Sequence, residues 1–459
     1  MTAQSLWGRT ARKVGGLARS DFGTKAGWYT VLLGFDRLIA VGQTVMLSRL
    51  LGITDYGAYG VLFATLGVVT TIVGFQSGLA ATVFVSRHLH TDPAKVAGVI
   101  GSLTKLAIGI STVVVLALIP FYREASVFLY HRSGYEQATL IGILLISGAV
   151  WSGIQDGFAQ GFESFRFLAS LRVAIGIVSL PLTFFSAREF GLVGALIVML
   201  AMMLPRTFIL RAHVNRLRRK FNIPRSGEPL SARSLFLDFA LPTVGVGALS
   251  GLANWFGIYW LSSHAGGLSA VAVATTGLQW RGPALLITSA LGTVAIPRFS
   301  RHHGAGDHDN SARLRNKLAW ISGLVAIAGT LPLVLFSPLV MSAYGPGFHA
   351  GAFAFSLVVL STVPMVISNV YLQEMIGAAM MWRQFWVQLP YAALLTLLFA
   401  ALIPTLGATG YGIAMVTGTF FLLALMIFSD RFARRKNRSR PLNSDEAETL
   451  IALQAGEMK

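Results

Sequence analysis

Twelve apolar segments, each about as long as a bilayer is thick, follow one another along the chain between short polar breaks. A hydrocarbon core about 30 Å thick needs roughly 20 apolar residues per helix. Of the 459 residues, 54% are hydrophobic and only 12% are charged, whereas a soluble domain carries about 25% charged residues. The pattern excludes an ordinary soluble enzyme and predicts an all-α integral membrane protein. The segments lie near residues 27–48, 58–83, 97–120, 138–158, 167–186, 189–210, 235–262, 268–296, 318–341, 351–376, 385–404 and 409–429.

The basic residues are distributed very unevenly between the two sides of these segments. Thirty of the 37 lysines and arginines fall in the two tails or at the turns after even-numbered segments, when Arg172 and Arg206, which lie near segment ends, are counted with those turns. Four fall after odd-numbered segments, and three lie deeper inside segments. Because cytoplasmic loops are enriched in Lys and Arg, this predicts both termini in the cytoplasm. The N-terminal stretch 1–26 lacks an apolar run followed by a cleavage site, so no removable signal peptide is expected. The net charge of +18 is thus a topology signal and an attraction to anionic membrane lipids, and a nucleic-acid partner is not expected.

The chain divides into two similar halves. A basic polar stretch, 211–234, separates an N-lobe of six helices, 27–210, from a C-lobe of six helices, 235–430, with cytoplasmic tails at 1–26 and 431–459. Each half has an even number of spans, so the two lobes should be related by an axis along the membrane normal. An ungapped alignment of the halves places Leu47, Ser48, Gly52, Gly78 and Ser86-Arg87-His88 on Leu261, Ser262, Gly266, Gly292 and Ser300-Arg301-His302.

Catalytic and metal-binding patterns are not found in the sequence. There is no cysteine, and no metal-protease, phosphate-loop or dinucleotide motif is present. The histidine-rich stretch RHHGAGDH, 301–308, is interpreted as a polar loop because a zinc site needs further ligands at fixed spacing. We expect no catalytic residue, no metal and no cofactor, and therefore no enzyme.

Four short motifs resemble a known transporter family. The chain resembles the polysaccharide transporters of the MOP superfamily, which are flippases of O-antigen and exopolysaccharide synthesis and are related to drug exporters and lipid II flippases. The fourth motif departs from the usual Gly-Arg spacing. The motifs are LSRLLGITDYGAYG at 47–60, QGFESFR at 160–166, IPRFSR at 296–301 and GAAMMWR at 377–383.

The resemblance implies the MOP fold of two pseudo-symmetric six-helix lobes and a transport function. A flippase of this family would move undecaprenyl-pyrophosphate-linked oligosaccharide from the cytoplasmic to the periplasmic leaflet of a bacterial inner membrane by alternating access. Its partners would be the lipid-linked glycan and polysaccharide-assembly proteins. Two alternatives stay open, an ion-coupled multidrug exporter and, less favoured because the outer loops are short, a membrane glycan polymerase.

Ionisable residues inside the predicted segments are the first candidates for function, because each costs at least about 2.5 kcal/mol to insert. Arg37 and Arg281 fall near mid-depth, and two guanidinium groups facing each other across a cleft would suit the pyrophosphate that the resemblance implies. Asp36 and Glu374 are candidates for a gate or for ion coupling. In a competing interpretation, Asp36 and Arg281 form a buried ion pair that holds the lobes together, and Glu374 only caps a helix end.

Polar and aromatic residues within the segments are secondary candidates. We expect them to line the cavity, although ordinary contacts between helices explain each of them at least as well. They are Gln43, Gln76, Asn254, Trp255 and Gln279.

Overall fold

The computed structural model describes residues 21–89, 91–224, 227, 241–264, 266–304, 307–378 and 380–438. Most of the predicted N-terminal tail, residues 225, 226 and 228–234 of the predicted linker, residues 235–240 of the predicted C-lobe and the end of the C-terminal tail lie outside the described residues. The described residues form thirteen α-helices: α1 Asp21–Val73, α2 Ser77–His88, α3 Pro93–Leu118, α4 Tyr122–Tyr130, α5 Glu136–Gly161, α6 Phe165–Lys220, α7 Leu241–Ser263, α8 Gly267–Gly304, α9 His308–Leu335, α10 Ser337–Tyr344, α11 Ala352–Leu360, α12 Thr362–Gly377 and α13 Met381–Arg438.

The three longest helices are each two helices joined at a single glycine. They have 53, 56 and 58 residues, and at 1.5 Å per residue each would be about 80 Å long if straight, far more than a bilayer. Each contains one glycine with positive φ, namely Gly52, Gly191 and Gly407, where a residue with a β-carbon would be strained. We call their halves α1a (21–51) and α1b (53–73), α6a (165–190) and α6b (192–220), and α13a (381–406) and α13b (408–438).

The number of membrane-length segments agrees with the sequence. Eight helical stretches in the described part of the chain are long and apolar enough to cross a membrane. Dividing the three kinked stretches at their glycines gives eleven segments. The helix α8 is not one of the eight stretches, but its 38 residues are long enough to cross a bilayer, and it makes the twelfth. The predicted all-α membrane fold is confirmed.

Two local features differ from the sequence prediction. The segment predicted at 58–83 is broken at Phe75 and Gln76, which both have left-handed backbone conformations. The segment predicted to end at residue 210 continues as regular helix to Lys220. The first part of the predicted linker is therefore helical.

The two halves repeat each other in detail at their glycines. Gly52 and Gly266, which the alignment of the halves pairs, have φ values of 75° and 86°. Gly191 and Gly407, which join the last two helices of each half, have φ values of 57° and 53°. Similar backbone geometry at equivalent joints supports the predicted pseudo-symmetry of the lobes.

Close helix contacts are also duplicated between the halves. A β-carbon on Gly161 would crowd the carbonyl oxygen of Thr82 and the side chain of Val85, and one on Gly377 would crowd the carbonyl of Ile296 and the side chain of Phe299. Therefore α5 packs directly on α2 in the N-lobe, and α12 packs directly on α8 in the C-lobe, each through a glycine.

The bundle has two faces, which we name for use below. The basic face contains the helix ends on either side of the α2–α3, α5–α6, α8–α9 and α12–α13 connections and the C-terminal ends of α6 and α13. The opposite face contains Gly52, Gly191 and Gly407, the connection between α7 and α8, and the stretches 119–135 and 336–351 with their short helices α4 and α10. The N-lobe helix α1 packs against the C-lobe helices α7 and α8, so these helices form the centre of the lobe interface.

Candidate substrate cavity and lobe interface

A cavity of about 300 Å³ lies within the N-lobe. Its walls come from both halves of α1 and of α6, and α8 of the C-lobe adds one residue. The wall is mixed, with amides, hydroxyls and one guanidinium beside aromatic and methionine side chains. The main lining residues are Gln43, Thr44, Tyr59, Phe63, Ser179, Thr183, Met199, Met202, Met203, Arg206 and Gln279.

Two of the predicted cavity residues line this cavity. Gln43 donates a hydrogen bond from Nε2 to Oγ1 of Thr183, at 3.3 Å. Gln279 is the C-lobe residue in the wall. Because the lining comes from both lobes, a change in the angle between the lobes would change the cavity.

Arg37 lies on the same stripe of α1a as the cavity wall. It precedes Ala40 and Thr44 by three and seven residues, a spacing that puts side chains on one face of a helix. Its Nη1 atom lies 3.9 Å from the position that a β-carbon on Gly282 would occupy. The guanidinium therefore reaches across to α8 at a point where that helix has no side chain. Asp36, which is half-buried, points about 100° away around α1a.

Arg281 directly precedes Gly282, yet its side chain points into the C-lobe. It is only 5% exposed, and one of its Nη atoms contacts the sulfur of Met365 on α12. It also lies near the side chains of Tyr391 and Tyr411 on α13. In the described part of the chain its Nε has no hydrogen-bond partner. The structure thus places the two predicted arginines beside each other along the interface without bringing their guanidinium groups together.

Arg206, which from the sequence was counted with the cytoplasmic charges, lies in the cavity wall instead. Arg206 contacts Oδ2 of Asp156 and the hydroxyl of Ser152, and Arg172 lies 3.4 Å from the same Asp156 oxygen. Two arginines share one carboxylate, so the cluster has a net positive charge. The cluster lies inside the bundle and not at a helix end, because α6b continues well beyond Arg206 and ends at Lys220.

Glu374 is the centre of a second buried ionic cluster, inside the C-lobe near the basic face. It is 8% exposed. Arg315 donates from Nη1 to Oε2 of Glu374 at 3.0 Å, and Ser311 donates to Oε1 at 2.7 Å. Arg315 also lies 2.6 Å from a carboxylate oxygen of Asp430 and 4.6 Å from the ring centre of Tyr371. Glu374 thus joins α9 and α12, which favours a structural role near the helix end.

Replacing Glu374 by glutamine is expected to destabilise the fold by about 1–3 kcal/mol, because Arg315 would lose one of its two charged partners in a buried position. Thermal unfolding in detergent would measure the loss. Glu189→Gln, an exposed carboxylate on the opposite face, is the matched control and should leave the midpoint unchanged. Equal midpoints for the two variants would contradict the assignment.

The other predicted lining residues make contacts between or within helices. Trp255 donates from Nε1 to Oγ1 of Thr65, at 3.0 Å, and so joins α7 to α1b. Asn254 donates to the carbonyl of Ser250 in its own helix, at 2.7 Å. At the helix break, Gln76 places Nε2 2.7 Å from the position of a β-carbon on Gly247.

At the opposite face the lobes are held together by side chains of the N-lobe that bind the end of α10. Ser48 donates to the carbonyl of Tyr344 at 3.0 Å, and Arg49 donates from Nε to the carbonyl of Ala343 at 2.6 Å. The Tyr344 hydroxyl lies 3.4 Å from Oγ1 of Thr44. The last carbonyls of a helix have no partner within the helix, so the N-lobe completes the C-terminal cap of a C-lobe helix.

Glycines bring the lobes into direct contact just beyond this cap. A β-carbon on Gly57 would overlap the carbonyl oxygen of Leu268, and one on Gly60 would overlap the hydroxyl of Thr275. Tyr56, fully buried, packs with its ring centre 5.9 Å from that of Phe348. We call this contact, formed by residues 48–60 with 268–276 and 343–348, the seam. The first of the four motifs therefore closes the lobe interface at the opposite face.

A family model described as "Polysaccharide biosynthesis protein" matches residues 22–303, more than half of the chain. The chain belongs to the polysaccharide biosynthesis protein family. The matched range contains the seam motif, Arg37, Arg206 and Gln279, so the cavity lies within the part of the chain that the family shares. The family predicted from the motifs is confirmed.

Two relatives from Ralstonia are both named as polysaccharide export proteins. One is the "EPS I polysaccharide export inner membrane protein EpsE" of Ralstonia nicotianae, which is 21% identical over 375 residues that make up 81% of this chain and 85% of the relative. The protein of that name from Ralstonia solanacearum is 24% identical over 182 residues, 39% of this chain and 42% of the relative.

Solved structures with a similar fold belong to the MOP superfamily. An inward-facing MATE family multidrug resistance transporter superposes with a TM-score of 0.73 at 16% identity, and covers 90% of this chain and all of that one. The lipid II flippase MurJ in an inward closed conformation gives 0.71 at 13% identity, covering 88% of this chain and 87% of that one. At these identities the likeness shows the fold, and it confirms the predicted two-lobe MOP architecture.

Proposed function

We propose that this chain is a flippase that moves lipid-linked oligosaccharide from the cytoplasmic to the periplasmic leaflet of the bacterial inner membrane by alternating access. The observation that carries the proposal is the N-lobe cavity, where amide and hydroxyl groups suited to a glycan lie near two arginines suited to its phosphates. The family membership and the names of the Ralstonia relatives support it. The basic face would be cytoplasmic, with both termini there.

The head group would be held by charge and the glycan by neutral polar groups. Arg37 and Arg206 present guanidinium forks that match phosphate oxygens. Gln43 and Gln279 offer both donors and acceptors, as sugar hydroxyls require. Arg281 would act at a distance, because a buried positive charge beside the interface stabilises an anion there through a low-dielectric medium. Asp36 and Glu374 remain the proposed gate or ion-coupling carboxylates.

Alternation would open and close the seam. In the state described here the seam closes the opposite face, so release of the glycan on that face requires Ser48 and Arg49 to leave the end of α10. The contacts that break are a few hydrogen bonds and glycine packing. Each hydrogen bond has a modest net free energy, about 0.5–1.5 kcal/mol, as a reversible gate needs. Anionic lipids would bind the basic residues at the cytoplasmic face, and polysaccharide-assembly proteins would act before and after transport.

One observation favours a second candidate, export of amphipathic drugs. Met199, Met202 and Met203 line the cavity together with Tyr59 and Phe63, and methionine-rich walls adapt to varied apolar ligands. The drug exporter would use the same cavity and seam. It would differ in the ligand, which would be cationic and so would be repelled by Arg37 and Arg206.

Purified protein reconstituted into liposomes separates the two candidates. The liposomes contain a fluorescent undecaprenyl-pyrophosphate-linked saccharide in both leaflets, and an external glycosidase removes the label from molecules on the outside. We expect label in the inner leaflet to become accessible with the protein and to stay protected in empty liposomes. Protection of the glycan combined with proton- or sodium-driven ethidium movement would overturn the flippase in favour of the exporter.

A further inference from the structure

A second pocket, of about 360 Å³, lies on the opposite face of the N-lobe, outside the cavity described above. It is bounded by the start of α1b, the turn between α4 and α5, and the joint between α6a and α6b. Its volume is at the lower end of the range for ligand pockets, roughly 300–1,000 Å³. The side chains that give it its chemistry are Asp55, Arg132, Tyr135 and Phe190.

The polar groups of this pocket are arranged around one tyrosine. Tyr135 donates its hydroxyl proton to Oδ1 of Asp55 at 2.7 Å. The guanidinium carbon of Arg132 lies 5.8 Å from the centre of the Tyr135 ring. Arg132 is exposed, and Phe190 is 69% exposed although it lies at the edge of a pocket that is half polar. One carboxylate, one guanidinium and two aromatic rings thus meet at a surface that faces away from the basic side.

We propose that this pocket binds a neutral saccharide unit of the transported glycan after it reaches the opposite face. Adjacent sugar hydroxyls both donate and accept hydrogen bonds, so a carboxylate that accepts and a guanidinium that donates suit them together. The apolar C–H face of a sugar ring packs on an aromatic side chain such as Phe190. The inference rests on the proposed function, to which it adds a release-side site and a ligand class.

The charge of the pocket distinguishes a saccharide from a lipid phosphate, which could also reach this surface. Asp55 and Arg132 balance each other, so the pocket has no net charge to attract a phosphate, and the Asp55 carboxylate would repel one. A phosphate site would be expected to have excess positive charge, as the Arg206 cluster does.

The pocket is also joined to the seam through the chain. Asp55 immediately precedes Tyr56 and Gly57, which pack between the lobes. The hydrogen bond from Tyr135 fixes Asp55 to the N-lobe while its neighbours close against the C-lobe. A saccharide bound at Asp55 would therefore lie next to the segment that must move when the glycan is released.

The test measures binding of lipid-free sugars to the full-length protein in nanodiscs. The probes are methyl glycosides of glucose, galactose, mannose, rhamnose and N-acetylglucosamine, with inorganic phosphate as a separate arm. Hydrogen–deuterium exchange followed by mass spectrometry reports on residues 131–138 and 188–194. We expect at least one glycoside to protect both segments saturably in the millimolar range, and phosphate to protect neither.

Two variants make the assignment specific. Arg132→Ala should weaken the saturable protection at least tenfold. Arg123→Ala is the matched control, because Arg123 is an exposed arginine on the same face that also stacks on a neighbouring tyrosine, Tyr122, at 5.6 Å, and it does not line the pocket. Tyr135→Phe keeps the ring, loses the hydroxyl that holds Asp55, and should weaken binding while leaving the unfolding midpoint nearly unchanged.

The outcomes distinguish this inference from the proposed function. No saturable glycoside protection, equal loss in the Arg132 and Arg123 variants, or protection by phosphate alone would overturn the saccharide site. If glycosides bind as expected but liposomes show no movement of lipid-linked glycan, the pocket stands as a sugar site and the flippase proposal fails.

Discussion

Replacement of Gly57 by alanine is expected to hold the lobes apart at the opposite face. The new β-carbon would overlap the carbonyl oxygen of Leu268, a backbone atom that cannot rotate away. Overpacking of this kind costs about 1–3 kcal/mol. Since the clash exists only when the seam is closed, it should shift the balance toward the open seam by roughly 5- to 150-fold.

A single introduced cysteine can report this shift, because the chain has no cysteine of its own. Thr276 is 0% exposed and lies near Tyr56 in the seam, so Thr276→Cys should react slowly with a membrane-impermeant maleimide added at the opposite face. Combined with Gly57→Ala, its labelling rate should rise in proportion to the open population.

The control for this experiment lies in the same half-helix. Gly67 is also in α1b, and a β-carbon there would meet nothing within 4 Å. Gly67→Ala adds the same methyl group and the same increase in helix propensity without a clash. It should leave the labelling rate of Thr276→Cys equal to that of the Thr276→Cys protein alone. Equal labelling in the two alanine variants would show that the Gly57 contact does not hold the seam closed.

The features that the sequence predicted well are those that depend on depth in the membrane and on order along the chain. The length of apolar segments fixes how many helices cross, and an ungapped alignment of the halves was enough to pair Gly52 with Gly266, which share a backbone conformation. Both are local properties of the chain. The motif at 47–60 was predicted to identify a family, and the structure adds that its Ser48, Arg49 and Gly57 close the seam.

The features that the sequence could not predict depend on rotation around a helix axis. Arg281 and Gly282 are neighbours, but one residue turns a side chain by about 100°, and only Gly282 faces Arg37. The position of Arg281 along its segment placed it near mid-depth in the membrane, but did not show which way its side chain points. Arg206 was placed at the end of a span because hydropathy falls near residue 210, whereas hydrogen bonding continues α6 to Lys220.

Loss of Arg37, which lies beside the cavity, is expected to have the largest effect on transport of any single substitution in or next to the cavity wall. Arg37→Ala should lower the initial rate of glycan movement in liposomes at least tenfold, because a hydrogen bond to a charged group has a net free energy of about 1.5–3 kcal/mol. Arg37→Lys keeps the charge but loses the guanidinium that donates two parallel hydrogen bonds to a phosphate, so it should retain part of the transport rate. Arg281→Ala should have a smaller effect, because that side chain points into the C-lobe.

Arg211→Ala is the control that separates a cavity role from general loss of positive charge. Arg211 is exposed on α6b beyond Arg206, with its guanidinium carbon 6.0 Å from the ring centre of Trp151, and does not line the cavity. Its loss removes one positive charge from the same lobe and should leave the rate unchanged at matched protein levels. If Arg37→Ala transports as fast as Arg211→Ala, the phosphate-binding role of Arg37 is wrong. If Arg281→Ala slows transport more than Arg37→Ala does, the anion is bound in the C-lobe.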